Sequence, residues 1–441
     1  MLTREEAKEI TDRVLALTAF PECSVSLYNS ETASIRYALN GVTTSGFQVD
    51  QALSISVTKD NKTGSTSVSE FDDKSLREAM QRAEQLSDVA PPNPEFLPGL
   101  GPQQYANFDN FIDATAAARS KEMIPAIRTV IEGAKAKNLV AAGYFERDAT
   151  VAVVANKHGL FGYERSTDSR LSTTVRTPDG SSSGWASRQS PDIAQVVSQG
   201  SAVADAAIGK CDRWRNPKRL DPGKYTVVLE PTAVSDLVEL IRFNARMADE
   251  GRSFLSKKGG GTLLGEKLFP EFITLRTDPF DKRNRALLVE NSGLPAVPMA
   301  WIEKGVVKNL QYDRYWAKQT GKQPTPGASR LVLDGGTDSL ESLIGGVERG
   351  LLVTRFWYLR NVNPQTVQYT GLTRDGLFLI ENGKVTSPVG NFRFNESPVR
   401  LLQNVLKMGV PERAQGGEGA GMIAPPLVVK DFPFTSVSDA V

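Results

Sequence analysis

Apolar residues in the first part of the chain follow two spacings, a helical one and an alternating one. Thr3 and Glu6 match a capping box, and apolar residues then recur at near-helical spacing up to position 17. Between positions 23 and 71 apolar and polar residues alternate instead, and Asn40-Gly41 is typical of a hairpin turn. This pattern predicts a helix followed by an antiparallel sheet with one polar face.

The rest of the first half mixes further helices with further hairpins. Helical spacing predicts helices over 71–86, 113–137 and 191–208, and Pro125 is expected to kink or divide the second of them. A proline-rich stretch after the first of these helices, with prolines at 91, 92, 94 and 98, predicts a stiff, extended connector. The only histidine, His158, falls in a tight turn between two predicted strands.

A polar, proline-bearing stretch without periodicity, residues 211–223, is the predicted boundary between a domain of residues 1–210 and one of residues 224–441. Beyond it, a strand precedes a helix predicted from about Thr232 to Met247. Further hairpins follow, and a late helix is predicted over 397–408. The predicted fold class is α+β, with two halves that each have a mainly antiparallel sheet covered by helices.

The residue counts of this 441-residue chain exclude whole classes of site. With His158 as the one histidine, zinc sites that need two or three histidines cannot form within the chain. Cys23 and Cys211 are too few for thiolate zinc sites or iron–sulfur clusters, whereas a carboxylate site for a hard cation stays open. His158 itself has two interpretations, a solvated turn residue, which the exposure of such turns favours, and a catalytic base.

Charge and cysteine content indicate where the protein works. There are 52 Lys and Arg residues against 51 Asp and Glu residues, and a net charge of +1 does not favour binding to a nucleic-acid backbone. Two distant cysteines favour a reducing compartment over a disulfide framework. No apolar run is long enough to span a membrane, and the charged N-terminus lacks the apolar core of a signal peptide. The sequence therefore predicts a cytoplasmic protein with no nucleic-acid or membrane partner.

Several segments are informative through their shared order. They are Asn156–Leu160 with Glu164–Thr167, Gly265-Glu266 leading into 273–279, Met299–Gly305, and Thr370–Val389 followed by the predicted helix 399–408. In this order they resemble the TldD/TldE (PmbA) family, which is often labelled "modulator of DNA gyrase" and is classified with metallopeptidases. The resemblance covers nearly the whole chain.

The resemblance also implies a site. TldD-type members carry His-Glu-x-x-x-His on a helix, with a cysteine near the C-terminus as third zinc ligand and the glutamate as general base. By spacing back from Glu266, that motif would fall near 241–246, where Ile241 and Arg246 stand in place of the histidines and Arg242 in place of the glutamate. No histidine or cysteine follows Cys211. The resemblance implies a TldE-type chain with no metal and no catalytic residue, and zinc only in its partner.

Arg242 and Arg246 are candidate contact residues. They lie four positions apart on the predicted helix, so both would project from one face. That face could bind a peptide carboxylate or an acidic partner surface, and the alternative is a solvated or internally paired face.

Three functions are then to be compared. The first, implied by the resemblance and by the missing ligands, is a non-catalytic subunit in a heterodimer with a TldD-like zinc peptidase that cleaves or matures small or unfolded peptides. The second is a stand-alone hydrolase without zinc, for which acidic residues around the predicted helix are candidates. These are Asp236, Glu239, Asp249 and Glu250. The third is a homodimeric binding or scaffold protein, since the chain could pair with itself when isolated.

Overall fold

A computed structural model describes residues 1–284, 289, 290, 292–416 and 421–438. Its helices, in chain order, are α1 (Arg4–Leu15), α2 (Asp73–Val89), α3 (Asp113–Ala117), α4 (Ser120–Ala136), α5 (Ile193–Ser198), α6 (Gly200–Arg213), α7 (Pro231–Val238), α8 (Ala245–Asp249), α9 (Arg314–Thr320), α10 (Leu340–Gly345) and α11 (Pro398–Gln403).

The strands, in chain order, are β1 (Glu22–Ala38), β2 (Gly41–Lys59), β3 (Lys62–Val68), β4 (Val140–Asn156), β5 (Phe161–Arg176), β6 (Ser183–Ser190), β7 (Gly223–Leu229), β8 (Leu275–Thr277), β9 (Met299–Glu303), β10 (Val306–Val307), β11 (Leu331–Leu333), β12 (Arg349–Asn363), β13 (Gln368–Glu381), β14 (Lys384–Pro388), β15 (Phe392–Glu396), β16 (Val405–Met408), β17 (Glu412–Ala414), β18 (Met422–Ala424) and β19 (Leu427–Val437).

The first six strands form one sheet in the order β3-β2-β1-β4-β5-β6, and every neighbouring pair is antiparallel. One face of this sheet is covered by helices. Val25 and Leu27 of β1 pack in a cluster with α1 and α2, whereas Ile35 and Tyr37 pack in a second cluster with α4 and α6. Alternate residues between them, such as Ser24 and Ser26, are exposed, which is the polar second face that the sequence predicts.

Two sheets of the second half enclose a single large core. One has the order β12-β7-β19-β15-β13-β14 with β16 beside β19, and the other has the order β10-β9-β8-β11-β18-β17. Only the pairs β7–β12 and β11–β18 are parallel among the strands that the structure describes. Val227, Val234 and Trp301 show how β7, α7 and β9 meet in this core. The predicted α+β class with mainly antiparallel sheets is confirmed, whereas the domain limits 1–210 and 224–441 stay a prediction.

The prediction of one continuous helix from Thr232 to Met247 is wrong. α7 ends at Val238, residues 241–243 are extended, and α8 begins only at Ala245. Burial explains the break, because Ile241 and Phe243 are both in the core while Arg242 between them is exposed, an alternation that belongs to extended chain. Asn244 then caps α8 by accepting a hydrogen bond from the Met247 N–H at 2.8 Å.

Other predicted helices have shifted limits. The helix predicted over 113–137 divides between α3 and α4, not at Pro125. At this break the Arg119 side chain donates to the carbonyl oxygens of Ala116 and Ala117. The helix predicted over 191–208 is the pair α5 and α6. The helix predicted over 397–408 ends at Gln403, because Val405–Met408 pairs with β19 as a strand.

Within the described residues, no helix combines the length and apolar character needed to cross a bilayer.

The contact between Gly64 and α2 provides a test of the first sheet. A Cβ atom at Gly64 would lie 2.0 Å from the Ala83 carbonyl oxygen and 2.3 Å from the Ser87 nitrogen, both backbone atoms of α2. We expect Gly64→Ala to push α2 off the sheet and to destabilise the protein by about 1–3 kcal/mol or more, measured as a lower melting temperature. Gly209→Ala is the control, because Gly209 is in α6 with no neighbour within 4 Å of its Cβ position. An unchanged or higher melting temperature is expected for it, and equal losses in both variants would contradict the packing argument.

Candidate functional site

Ile241 belongs to the core. Its side chain is 1% exposed and packs in the same cluster as Phe243, whose ring stacks on Trp301 with centroids 5.2 Å apart. A hydrocarbon side chain in this environment offers no lone pair to a metal. The extended segment is held by backbone hydrogen bonds to Gln311 on either side of Asn244.

Arg242 points out of the core at the edge of a cleft. Its Nη1 donates to the carbonyl oxygens of Glu239 (2.6 Å) and Ile241 (3.0 Å). The cleft has a volume of about 520 Å³, and its other lining residues include Asp236, Glu239 and Tyr369. Arg242 is thus an exposed cation beside a concave surface, and its role as a peptide or partner contact stays a prediction.

Arg246 is held by internal ion pairs. Its Nη1 and Nη2 donate to the two carboxylate oxygens of Glu95 at 2.8 and 2.9 Å, and its Nε donates to Glu250 at 3.0 Å. These hydrogen bonds, first from Glu95 and then from Glu250, raise the pKa of Arg246. The guanidinium also lies 5.3 Å from the ring centroid of Trp316. Arg246 ties the connector to α8, and the expectation that it shares a helix face with Arg242 is wrong, because Arg242 lies in extended chain.

The four acidic candidates take part in structural hydrogen bonds. Asp236 is buried and accepts from the Phe356 backbone N–H at 2.9 Å, and Glu239 accepts from Ser235 at 2.8 Å. Asp249 accepts from the Trp316 indole at 2.7 Å, whereas Glu250 pairs with Arg246 and Arg252. Across the described ranges there is no group of three or more His, Cys, Asp or Glu residues arranged to hold a metal ion.

His158 lies in the turn between β4 and β5, as predicted. Its Nε2 is 2.8 and 2.9 Å from the two oxygens of the Glu22 carboxylate, and Glu22 also accepts from the Gly99 N–H at 3.0 Å. The histidine therefore joins the β4–β5 turn to the start of β1, and Glu22 joins the start of β1 to Gly99 of the connector. His158 belongs to the first sheet, whereas α7 and residues 241–246 belong to the second half of the protein.

Comparisons with known proteins give a consistent picture. A family model described as "PmbA/TldA metallopeptidase domain 1" matches residues 23–87. A second model, described as "PmbA/TldA metallopeptidase C-terminal domain", matches residues 222–436. The chain is 22% identical over 405 residues to metalloprotease PmbA of Escherichia coli O157:H7, covering 88% of this chain and 87% of that protein. A match to the metalloprotease TldD homolog of Buchnera aphidicola is shorter, 23% identical over 171 residues, or 36% of this chain and 35% of that one.

Solved structures share the fold. The crystal structure of TldE from Thermococcus kodakarensis matches with a TM-score of 0.84 and 20% identity, over 97% of this chain and 99% of that one. A candidate modulator of DNA gyrase from Bacteroides thetaiotaomicron matches with a TM-score of 0.84 and 24% identity, over 99% of this chain and 100% of that one.

The chain belongs to the PmbA/TldD family.

For a PmbA/TldD protein, the side chains at the expected ligand positions do not fit a zinc ion. Zinc in such sites is held by imidazole, thiolate or carboxylate groups. Here Ile241 is a hydrocarbon inside the core, and Arg242 and Arg246 are cations that would repel the metal. No catalytic step through zinc can be assigned to these residues.

A buried ionic network between the two halves was not predicted from the sequence. Arg413 of β17 forms two hydrogen bonds with Asp168 of β5, at 2.6 and 2.7 Å, and its side chain is only 6% exposed. Next to it, Arg170 of β5 donates to the Gly416 carbonyl oxygen at 3.1 Å, and burial lowers its pKa. The partners are more than 240 residues apart in sequence, and no local spacing signals such pairs.

The same segment reaches α7. Ser235 of α7 donates to the Ala414 carbonyl oxygen at 3.2 Å, one residue after Arg413. A Cβ atom at Gly416 would fall 1.3 Å from Asp236 Oδ1, so only glycine fits here. Residues 413–416 therefore lie between β5 on one side and α7 on the other.

Removing one partner of the Asp168–Arg413 pair is expected to be costly. Asp168→Ala leaves a buried guanidinium without its carboxylate, which costs about 3–5 kcal/mol in comparable pairs and would appear as a large drop in melting temperature. Adding Arg413→Met to this variant should recover part of the loss, because the uncompensated charge is gone. As a control, Asp12→Ala breaks the exposed Lys8–Asp12 pair and should have little effect. A small effect of Asp168→Ala, similar to that of Asp12→Ala, would show that the pair does not hold the halves together.

Proposed function

We propose that this chain is a non-catalytic, TldE-like subunit that pairs with a TldD-type zinc peptidase in the cytoplasm and acts on small or unfolded peptides. The observation that carries the proposal is the character of positions 241, 242 and 246 in a chain of this family. A core hydrocarbon and two arginines stand where the resemblance expects two zinc ligands and a general base. Membership of the PmbA/TldD family and the likeness in fold to a TldE protein support it.

The chemistry of peptide hydrolysis separates this proposal from a stand-alone hydrolase. Attack on an amide needs a water polarised by a metal or a nucleophile activated by a base. Asp236 and Glu239 border the cleft, but both are engaged in hydrogen bonds of the fold, and His158 is paired with Glu22 on another sheet. These contacts favour a role in binding over one in bond cleavage.

Within the complex, we propose that Arg242 contacts the peptide. Its guanidinium borders the cleft, and a planar guanidinium suits a carboxylate of a peptide C-terminus or acidic side chain. Arg246 is the weaker candidate of the two, since its N–H groups already donate to Glu95 and Glu250.

The first test is the metal content of the chain. We expect protein purified without a polyhistidine tag to hold no stoichiometric zinc, because no described group of residues provides a zinc-ligand set. Elemental analysis by inductively coupled plasma mass spectrometry measures it, with the TldD-like chain of the same genome as positive control. One tightly held zinc ion per chain would contradict the proposal.

The second test is peptidase activity. An unfolded peptide is incubated with this chain alone, with the TldD-like partner alone and with both, and we expect full cleavage only with both. Cleavage should be lost when a chelator is added or when the glutamate of the partner's His-Glu-x-x-x-His motif is changed to glutamine. Chelator-resistant cleavage by this chain alone, abolished by His158→Ala, would instead establish a stand-alone hydrolase.

The same assay tests Arg242. In the complex, Arg242→Ala should raise KM for a peptide with a free C-terminal carboxylate while kcat changes little, because the contact is one of binding. An amidated peptide should be insensitive to the change. Arg252→Ala is the matched control, as Arg252 is a nearby exposed arginine that pairs with Glu250. Equal effects on both peptides would rule out carboxylate recognition by Arg242.

A further inference from the structure

The cleft beside Arg242 has an apolar side. Leu240, Ala328 and Tyr369 line it, and each is a partly buried side chain that packs on the large core of the second half. Leu359, which is 8% exposed, lines the cleft as well. We call these four residues the apolar wall. Apolar side chains that stay accessible in a concave site, next to a few polar groups, are typical of ligand pockets.

A β-bulge brings Leu359 to the apolar wall. The pairing of β12 with β13 shifts between Trp357 and Arg360, so Tyr358 and Leu359 both stand opposite Gly371. Tyr358 has φ 59 and is 54% exposed, and this positive φ is unfavourable for a bulky residue. A Cβ atom at position 371 would lie 2.7 Å from Leu359 Cδ2, so the leucine has room only because residue 371 is a glycine. Bulges often re-aim a side chain beside a functional site, and here the bulge turns Leu359 away from solvent.

The charges that line the cleft single out Arg242. Asp236 and Glu239 are opposed by Arg242 and Arg330, so the described lining is neutral as a whole. Both carboxylates accept hydrogen bonds within the fold. The hydrogen bonds of Arg242 go to backbone carbonyl oxygens, and it forms no ion pair with any residue that the structure describes. A carboxylate that enters the cleft would therefore find its charge partner at Arg242.

We infer that the cleft binds the last residue of a peptide, with the C-terminal carboxylate at Arg242 and an apolar side chain on the apolar wall. The inference rests on the proposed function and adds the class of substrate to it, namely peptides that end in an aliphatic or aromatic residue. The volume of about 520 Å³ lies within the range of about 300–1,000 Å³ that ligand pockets have. A polar last side chain would lose water at the wall without gaining a hydrogen bond from Leu240 or Leu359, so it would bind less well.

Binding of short peptides to the full chain alone tests the inference. Two fluorescein-labelled peptides that differ only in the last residue, leucine or serine, are titrated with the protein and followed by fluorescence anisotropy. We expect the leucine peptide to bind about tenfold more tightly or better, which is the gain expected from burying one leucine side chain. The leucine peptide with an amidated C-terminus should also bind more weakly, because Arg242 then has no carboxylate to bind.

Two variants separate the contribution of the side chain from that of the carboxylate. Leu240→Asn is similar in size but polar, so it should reduce the preference for leucine over serine and keep the preference for a free carboxylate. Arg242→Gln should do the reverse. Leu264→Asn is the matched control, because Leu264 is 38% exposed and does not line the cleft, and it should change neither preference. The comparison of the peptides on the wild type does not depend on how any variant folds.

Equal affinity of the wild type for the leucine and serine peptides, or no binding of either, would overturn the inference. A preference for leucine that persists unchanged in Leu240→Asn would also overturn it, because the apolar contact would then lie elsewhere. The proposed function fails separately. Cleavage by the two-chain complex without leucine-selective binding would remove only the inference, whereas leucine-selective binding by a chain that never supports cleavage by a TldD-type subunit would contradict only the proposed partnership.

Discussion

Charges that are buried between two sheets must find partners, and this requirement determines how the two halves of the protein meet. Arg413 extends from the second half toward β5, and its side chain is almost fully buried. Two of its N–H groups donate to the Asp168 carboxylate of β5. An ion pair with two parallel hydrogen bonds fixes both position and orientation. Because Ser235 binds the carbonyl oxygen of the next residue, Ala414, the same pair also fixes α7 relative to the first sheet.

Local patterns in the sequence predict the elements of this fold well where one spacing dominates. The capping box at Thr3, the hairpin turn at Asn40 and the alternation along β1 are each set by neighbours in sequence, and each is present. The helix predicted from Thr232 to Met247 fails because its apolar residues fit both a helical and an alternating pattern. Its second part is extended because Ile241 and Phe243 both have space in the core of the second half. That space is created by distant residues such as Trp301, which a local pattern does not contain.

The candidate site shows the same division. The resemblance to the family points to positions 241, 242 and 246, and the chemistry of the residues there then argues against a bound metal. The different situations of Arg242 and Arg246 could not be predicted, since the partner of Arg246, Glu95, precedes it by 151 residues. A zinc-binding helix needs its ligands on one face at fixed spacing. A chain without that requirement can use the same segment for packing. Here residues 241–243 are not helical, and Ile241 and Phe243 pack in the core.

The connector from residue 90 to 112 has a mechanical consequence. Apart from the Glu95–Arg246 pair, Arg314 donates to the Pro98 carbonyl oxygen, Tyr105 donates to Gly293, and Asn110 donates to the carbonyl oxygen of Asn284. These attachments are spread along the connector, and between them the Gly99 N–H donates to Glu22 of the first sheet, which His158 also contacts. A rotation of one half against the other would stretch them by unequal amounts, so no single hinge can relieve all of them together. The connector therefore resists rotation of one half against the other.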